Sequence, residues 1–69
     1  MIVAFDIPER FKKERHWLRG ELRGLGFEML QKSVWFGSAP LPIGFVETLG
    51  TLRLLEFIKF FDAKEADIV

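Results

Sequence analysis

The chain has no cysteine, which excludes disulfides and thiolate metal sites. Its single histidine, His16, excludes a His-rich zinc site within one copy. No apolar run reaches the roughly 18 residues that a transmembrane helix needs. No glycine-rich phosphate loop, HExxH pattern or catalytic triad pattern occurs. Net charge is zero, so overall charge does not point to a nucleic-acid binder. Met1 runs directly into a strand pattern with no basic leader, and the expectation is a soluble cytoplasmic protein.

Apolar surface is abundant. Of the 69 residues 49% are hydrophobic, with eight Phe and two Trp. The length specifies a single domain over residues 1–69. A chain below roughly 70–80 residues has too little interior to hide so much apolar surface. The simplest remedy is a second copy of itself.

The first stretch, Met1-Ile2-Val3-Ala4-Phe5-Asp6-Ile7-Pro8, organises the rest. A strand is predicted over residues 2–7, apolar on both faces, so both faces should be covered. Asp6 is its one charge. A helix is predicted over residues 8–25, with Pro8 in its first turn, where a missing N–H costs little. Asp6-x-x-Glu9 reads as a capping box. Phe11, Leu18, Leu22 and Leu25 form the core stripe of that helix. Gly24 and Gly26 end it. Residues 27–32 and 33–38 read as two strands, with a tight turn or a bulge at Gln31-Lys32-Ser33. Ala39-Pro40-Leu41-Pro42 stops the pairing. A weaker helix follows over 42–49, with Phe45, Val46, Leu49 and Leu52 on one face. A last strand covers 56–62, and the tail 63–69 is expected to add a short strand or to cross to a partner. The order β-α-β-β-α-β is α+β and ferredoxin-like, an antiparallel sheet with both helices on one face. Its other face, apolar here, should be buried in a dimer.

Charge is unevenly spread. Between Arg10 and Arg23 six basic residues face two acidic ones, a net of +4. Lys12, His16, Arg19 and Arg23 form a stripe about 110° round the helix from the core stripe, with Arg15 flanking it. That stripe suits phosphate contact, since Arg binds phosphate bidentately. It equally suits an ordinary solvated face. Lys32 is a further phosphate candidate. Asp6 has two readings: a hard-cation ligand needing a second carboxylate, or a helix cap with Glu9 worth about 1 kcal/mol. His16, Ser33, Trp35 and Trp17 fit surface, turn, core and packing roles respectively.

Phe5-Asp6-Ile7-Pro8, Leu18-Arg19 with Leu22 before Gly26, and Leu30-Gln31-Lys32-Ser33-Val34-Trp35-Phe36-Gly37 together resemble CRISPR-associated protein two. That is the small partner of the CRISPR integrase in spacer acquisition, part of antiviral defence. The resemblance covers residues 1–38 by motif and the rest by element order. It implies a homodimer in which Asp6 meets its mate across a two-fold axis, where Mg²⁺ can bind. It also implies either metal-dependent endonuclease activity on RNA or double-stranded DNA, with Asp6 catalytic, or a non-catalytic bridge between integrase dimers and duplex DNA. On that reading Lys12, Arg15, His16, Arg19, Arg23 and Lys32 contact nucleic acid. Trp17 and Ala39-Pro40-Leu41-Pro42 are closer to the central domain of the phenylacetate-degradation repressor family. This domain shares the fold and implies a non-enzymatic dimerisation module in a transcription regulator. A small ribonuclease toxin is a third reading.

Overall fold

A computed structural model describes residues 1–38 and 40–62. The chain builds strand β1 (Ile2–Phe5), helix α1 (Lys12–Gly24), strands β2 (Glu28–Gln31) and β3 (Val34–Phe36), helix α2 (Ile43–Thr51) and strand β4 (Ile58–Phe61). Short 3₁₀ turns at Glu9–Phe11 and Leu55–Phe57 precede α1 and β4. The sheet order is β2-β3-β1-β4, and every neighbouring pair is antiparallel. This is the ferredoxin-like arrangement expected from the element order. The tail 63–69 and Ala39 lie outside the described residues.

Alternation along the strands sorts their side chains onto two faces. Val3 and Phe5 of β1, Trp35 of β3 and Ile58 of β4 point into the core. They meet Leu18 and Leu22 of α1 and Phe45 and Leu49 of α2, so both helices cover the same sheet face. Full burial of each such side chain contributes roughly 1.5–3 kcal/mol. The expected α1 stripe is deep at Leu18 and Leu22 only. Phe11 sits before the helix, half-buried against Phe57. Leu25, expected in the core, is 40% exposed. The helix ends at Gly24, and Leu25 already belongs to the turn leaving it.

Both helices end in the same way. Gly26 takes φ 90°, and its N–H bonds to the Arg23 carbonyl while the Phe27 N–H bonds to that of Leu22. Arg53 takes φ 61°, and its N–H bonds to the Gly50 carbonyl while the Leu54 N–H bonds to that of Leu49. Each is a Schellman closure, with a buried apolar residue on either side of the turn. The closure after α1 aims the chain into β2.

The hairpin β2–β3 resolves the Gln31-Lys32-Ser33 question both ways. Lys32 and Ser33 form the turn. The register also shifts between Met29 and Gln31, so β2 carries a bulge at Leu30. The Lys32 carbonyl accepts from the Trp35 indole Nε1 and from Arg19 Nε, each at 3.1 Å, which ties the turn to α1. At the far end of β3, Gly37 and Met1 exchange backbone bonds. A Cβ on Gly37 would overlap the Phe27 ring.

The expected capping box is not formed. Pro8 is extended (φ −58°, ψ 155°), and neither it nor Phe11, the cap of α1, makes a side-chain cap bond. Regular α-helix begins only at Lys12, too far along for Asp6 to reach its first N–H groups. Glu9 instead turns to Arg15, Oε2 to Nη2 at 3.2 Å.

Candidate functional site

Three features could serve function: the exit of β1, the basic edge of α1, and the uncovered sheet face. At the exit, the Phe5 N–H bonds to the Ser33 carbonyl and the Asp6 N–H to the Phe57 carbonyl, at 3.0 and 2.9 Å. Asp6 is therefore fixed between the β2–β3 turn and the 3₁₀ turn before β4. Its exposed carboxylate opens into a cleft of about 350 Å³, lined also by Ala4, Ser33, Val34, Glu56 and Lys59. Glu56 and Lys59 were not singled out from sequence. Lys59 carries the signal that marked Asp6, a lone charge in an apolar strand, whereas Glu56 reaches the cleft only through the fold.

A divalent cation needs several oxygen ligands. Among the described residues, no group of three or more His, Cys, Asp or Glu side chains could hold one. Asp6 and Glu56 share their cleft with the cationic Lys59. Among the described residues of one copy, Asp6 therefore has only Glu56 as a neighbouring carboxylate in its cleft.

The basic residues of α1 divide into two groups. Lys12, His16 and Arg23 are exposed. Arg19 is half-buried and bonded to the Lys32 carbonyl, which brings Lys32 beside α1. Arg19 also lies over Phe5, and Arg23 over Trp35 at 5.5 Å, so both lid the aromatic core while carrying charge. Arg15 faces the loop after β1. Its Nη2 pairs with Glu9, its Nη1 lies 3.4 Å from the Ile7 carbonyl, and its side chain is 21% exposed. The arrangement joins Arg19, Arg23 and Lys32 in one basic edge, continued along the helix by Lys12 and His16. Trp17 stacks on Phe45 at 5.9 Å and belongs to the seam between the helices.

The third feature is the sheet face turned away from the helices. Register places Ile2 opposite both Phe36 and Phe61, and Ala4 opposite both Val34 and Lys59. Ile2, Ala4, Val34 and Phe36 are half-buried, and Phe61 is 50% exposed. No described element covers them. The row Phe36–Ile2–Phe61 is apolar, with the exposed Glu28 beside Phe36 on the β2 edge, and the Asp6 end carries the charges of Asp6 and Lys59. Among the described residues, no helix is long and apolar enough to cross a membrane.

No curated protein and no solved structure matches the chain. A family model does, that of the PaaX protein central Cas2-like domain, over residues 1–68. The ferredoxin-like sheet, the Asp6 exit and the aromatic β3 strand all lie within that span. The chain belongs to the family of PaaX central Cas2-like domains.

Proposed function

We propose that the chain is a homodimerising module of a DNA-associated regulator, joining two copies through the uncovered sheet face. The observation that carries this reading is the apolar row Phe36–Ile2–Phe61 on a face that no described element covers. An aromatic row of this kind is costly to leave in water and suits an interface core. The match over nearly the whole chain to a domain central in a larger protein supports a joining role. Few candidate catalytic groups accompany Asp6, which favours assembly over chemistry. Sedimentation of the wild type should show a dimer. Phe36→Asp or Phe61→Asp should raise its dissociation constant by about 100-fold or more, as loss of an interface anchor does. A wild type monomeric throughout the micromolar range would sink the reading.

The cleft at Asp6 favours a second reading, a CRISPR adaptation protein that binds duplex DNA or RNA, bridges integrase subunits and cleaves with Mg²⁺. Asp6 and its mate would hold the cation, which would activate a water or clamp a phosphate. Mg²⁺-dependent cleavage should then vanish in Asp6→Ala. Equal cleavage by wild type and variant removes Asp6 from the chemistry.

A further inference from the structure

The uncovered sheet face is not apolar throughout. Lys59 sits directly opposite Ala4, and Asp6, just past the end of β1, opens into the same cleft as both. Lys59 and Asp6 line this cleft at the β1 exit together with Glu56. None of these three side chains makes an ion pair or a hydrogen bond with another described residue. By contrast, Glu9 pairs with Arg15 Nη2 across the loop that follows β1.

Covering this face with a second copy would take Lys59 out of water. An uncompensated buried charge costs several kcal/mol, so the ammonium must meet a carboxylate in the interface. In an isologous two-fold contact, residue i of one copy meets residue j of the other, and the reverse holds as well. A patch carrying a lysine and a carboxylate side by side is complementary to itself under that operation. Glu28 shares this face but lies on β2, at the opposite edge of the sheet from Lys59, whereas Asp6 lines the cleft of Lys59 itself and its backbone is pinned by the bond from its N–H to the Phe57 carbonyl.

We propose that Lys59 pairs with Asp6 of a second copy, so that two reciprocal ion pairs lock the dimer and set its register. The inference rests on dimerisation through the uncovered face. It assigns the Asp6 carboxylate an ammonium partner in place of a metal, and it makes the dimer insensitive to chelators.

The test is a charge swap between chains. Lys59→Glu alone should set Glu against the partner's Asp6, and Asp6→Lys alone should set Lys against the partner's Lys59. Each variant should dimerise at least about tenfold more weakly than wild type. Mixed in equal amounts, the two variants should form a heterodimer of near wild-type affinity, read by native mass spectrometry and sedimentation. In that mixture each chain carries a like-charged pair of its own, so only pairing between chains rescues assembly. Lys59→Gln and Asp6→Asn form a milder set, checked for folding by circular dichroism. Each should weaken the dimer by about tenfold, and the double variant should be no weaker than either one. Variants that dimerise like wild type, a mixture without heterodimer, or additive losses in the neutral set would overturn the ion pair and leave the dimer standing. A monomeric wild type would overturn the dimer itself, and the ion pair with it.

Discussion

Arg53 holds a left-handed backbone (φ 61°) in the turn that closes α2, where Gly26 serves the corresponding turn after α1. An L-residue there meets a clash between Cβ and carbonyl worth roughly 1–2 kcal/mol, which glycine lacks. Glycine gives back part of that gain through its larger unfolded-state entropy. Arg53→Gly should therefore stabilise the fold by about 0.5–1 kcal/mol, and thermal denaturation should read this as a rise of a few degrees. An unchanged or lower midpoint would mean that the Arg53 side chain holds the turn in another way. Gly26 could be recognised from sequence as a helix stop because glycine advertises the conformation. Arg53 gave no such sign, since its strain follows from closure of the turn between the buried Leu49 and Leu54. Asp6 was visible as a lone charge ending an apolar strand. Its neighbours Glu56 and Lys59 lie some fifty residues away in sequence, and only the pairing of β1 with β4 brings them to it.

At the level of elements, periodicity carried most of the information. The spacing of Leu18 and Leu22 is a local signal, and both lie on the core face it foretells, whereas β1 is apolar on both sides and only the docking of the helices selects Val3 and Phe5 for the core. The first helix is the instructive departure. Asp6-x-x-Glu9 has the spacing of a capping box, but Pro8 keeps the chain extended and a 3₁₀ turn intervenes before Lys12. The Asp6 N–H that Glu9 would reach in such a box is already bonded to the Phe57 carbonyl, and the Glu9 carboxylate pairs with Arg15, one turn into α1. The hairpin shows the reverse case, in which sequence allowed a turn or a bulge and the chain uses both. Its anchor was not legible. The Lys32 carbonyl is held by the Trp35 indole and by Arg19, a residue of another element, so the bond depends on how α1 docks.

On the scale of the molecule, zero net charge conceals a separation of surfaces. The sheet offers an apolar row flanked by Glu28 at the β2 edge and by a charged cleft at the β1 exit, while α1 and the β2–β3 turn gather Lys12, His16, Arg19, Arg23 and Lys32 along an edge. A dimer through the sheet leaves that basic edge free and doubles it. Such an edge suits the backbone of duplex DNA, which attracts by charge and without base readout. The charge on Arg19 and Arg23 is held firmly, because each guanidinium is laid over an aromatic ring of the core, so less ordering is required on contact. Duplex affinity measured against salt tests the edge directly. Arg19→Ala combined with Arg23→Ala removes two contacts per chain, or four per dimer. The slope of log affinity against log salt should flatten by about 3–4. Loss of the two aromatic contacts should cost each fold about 1–2 kcal/mol, so the comparison is made well below the variant's melting temperature. Scrambled duplexes should lose affinity equally, since the edge reads charge. If wild type and variant share one shallow slope, the basic residues serve only to lid the core over Phe5 and Trp35, and nucleic-acid contact must lie elsewhere in the assembly.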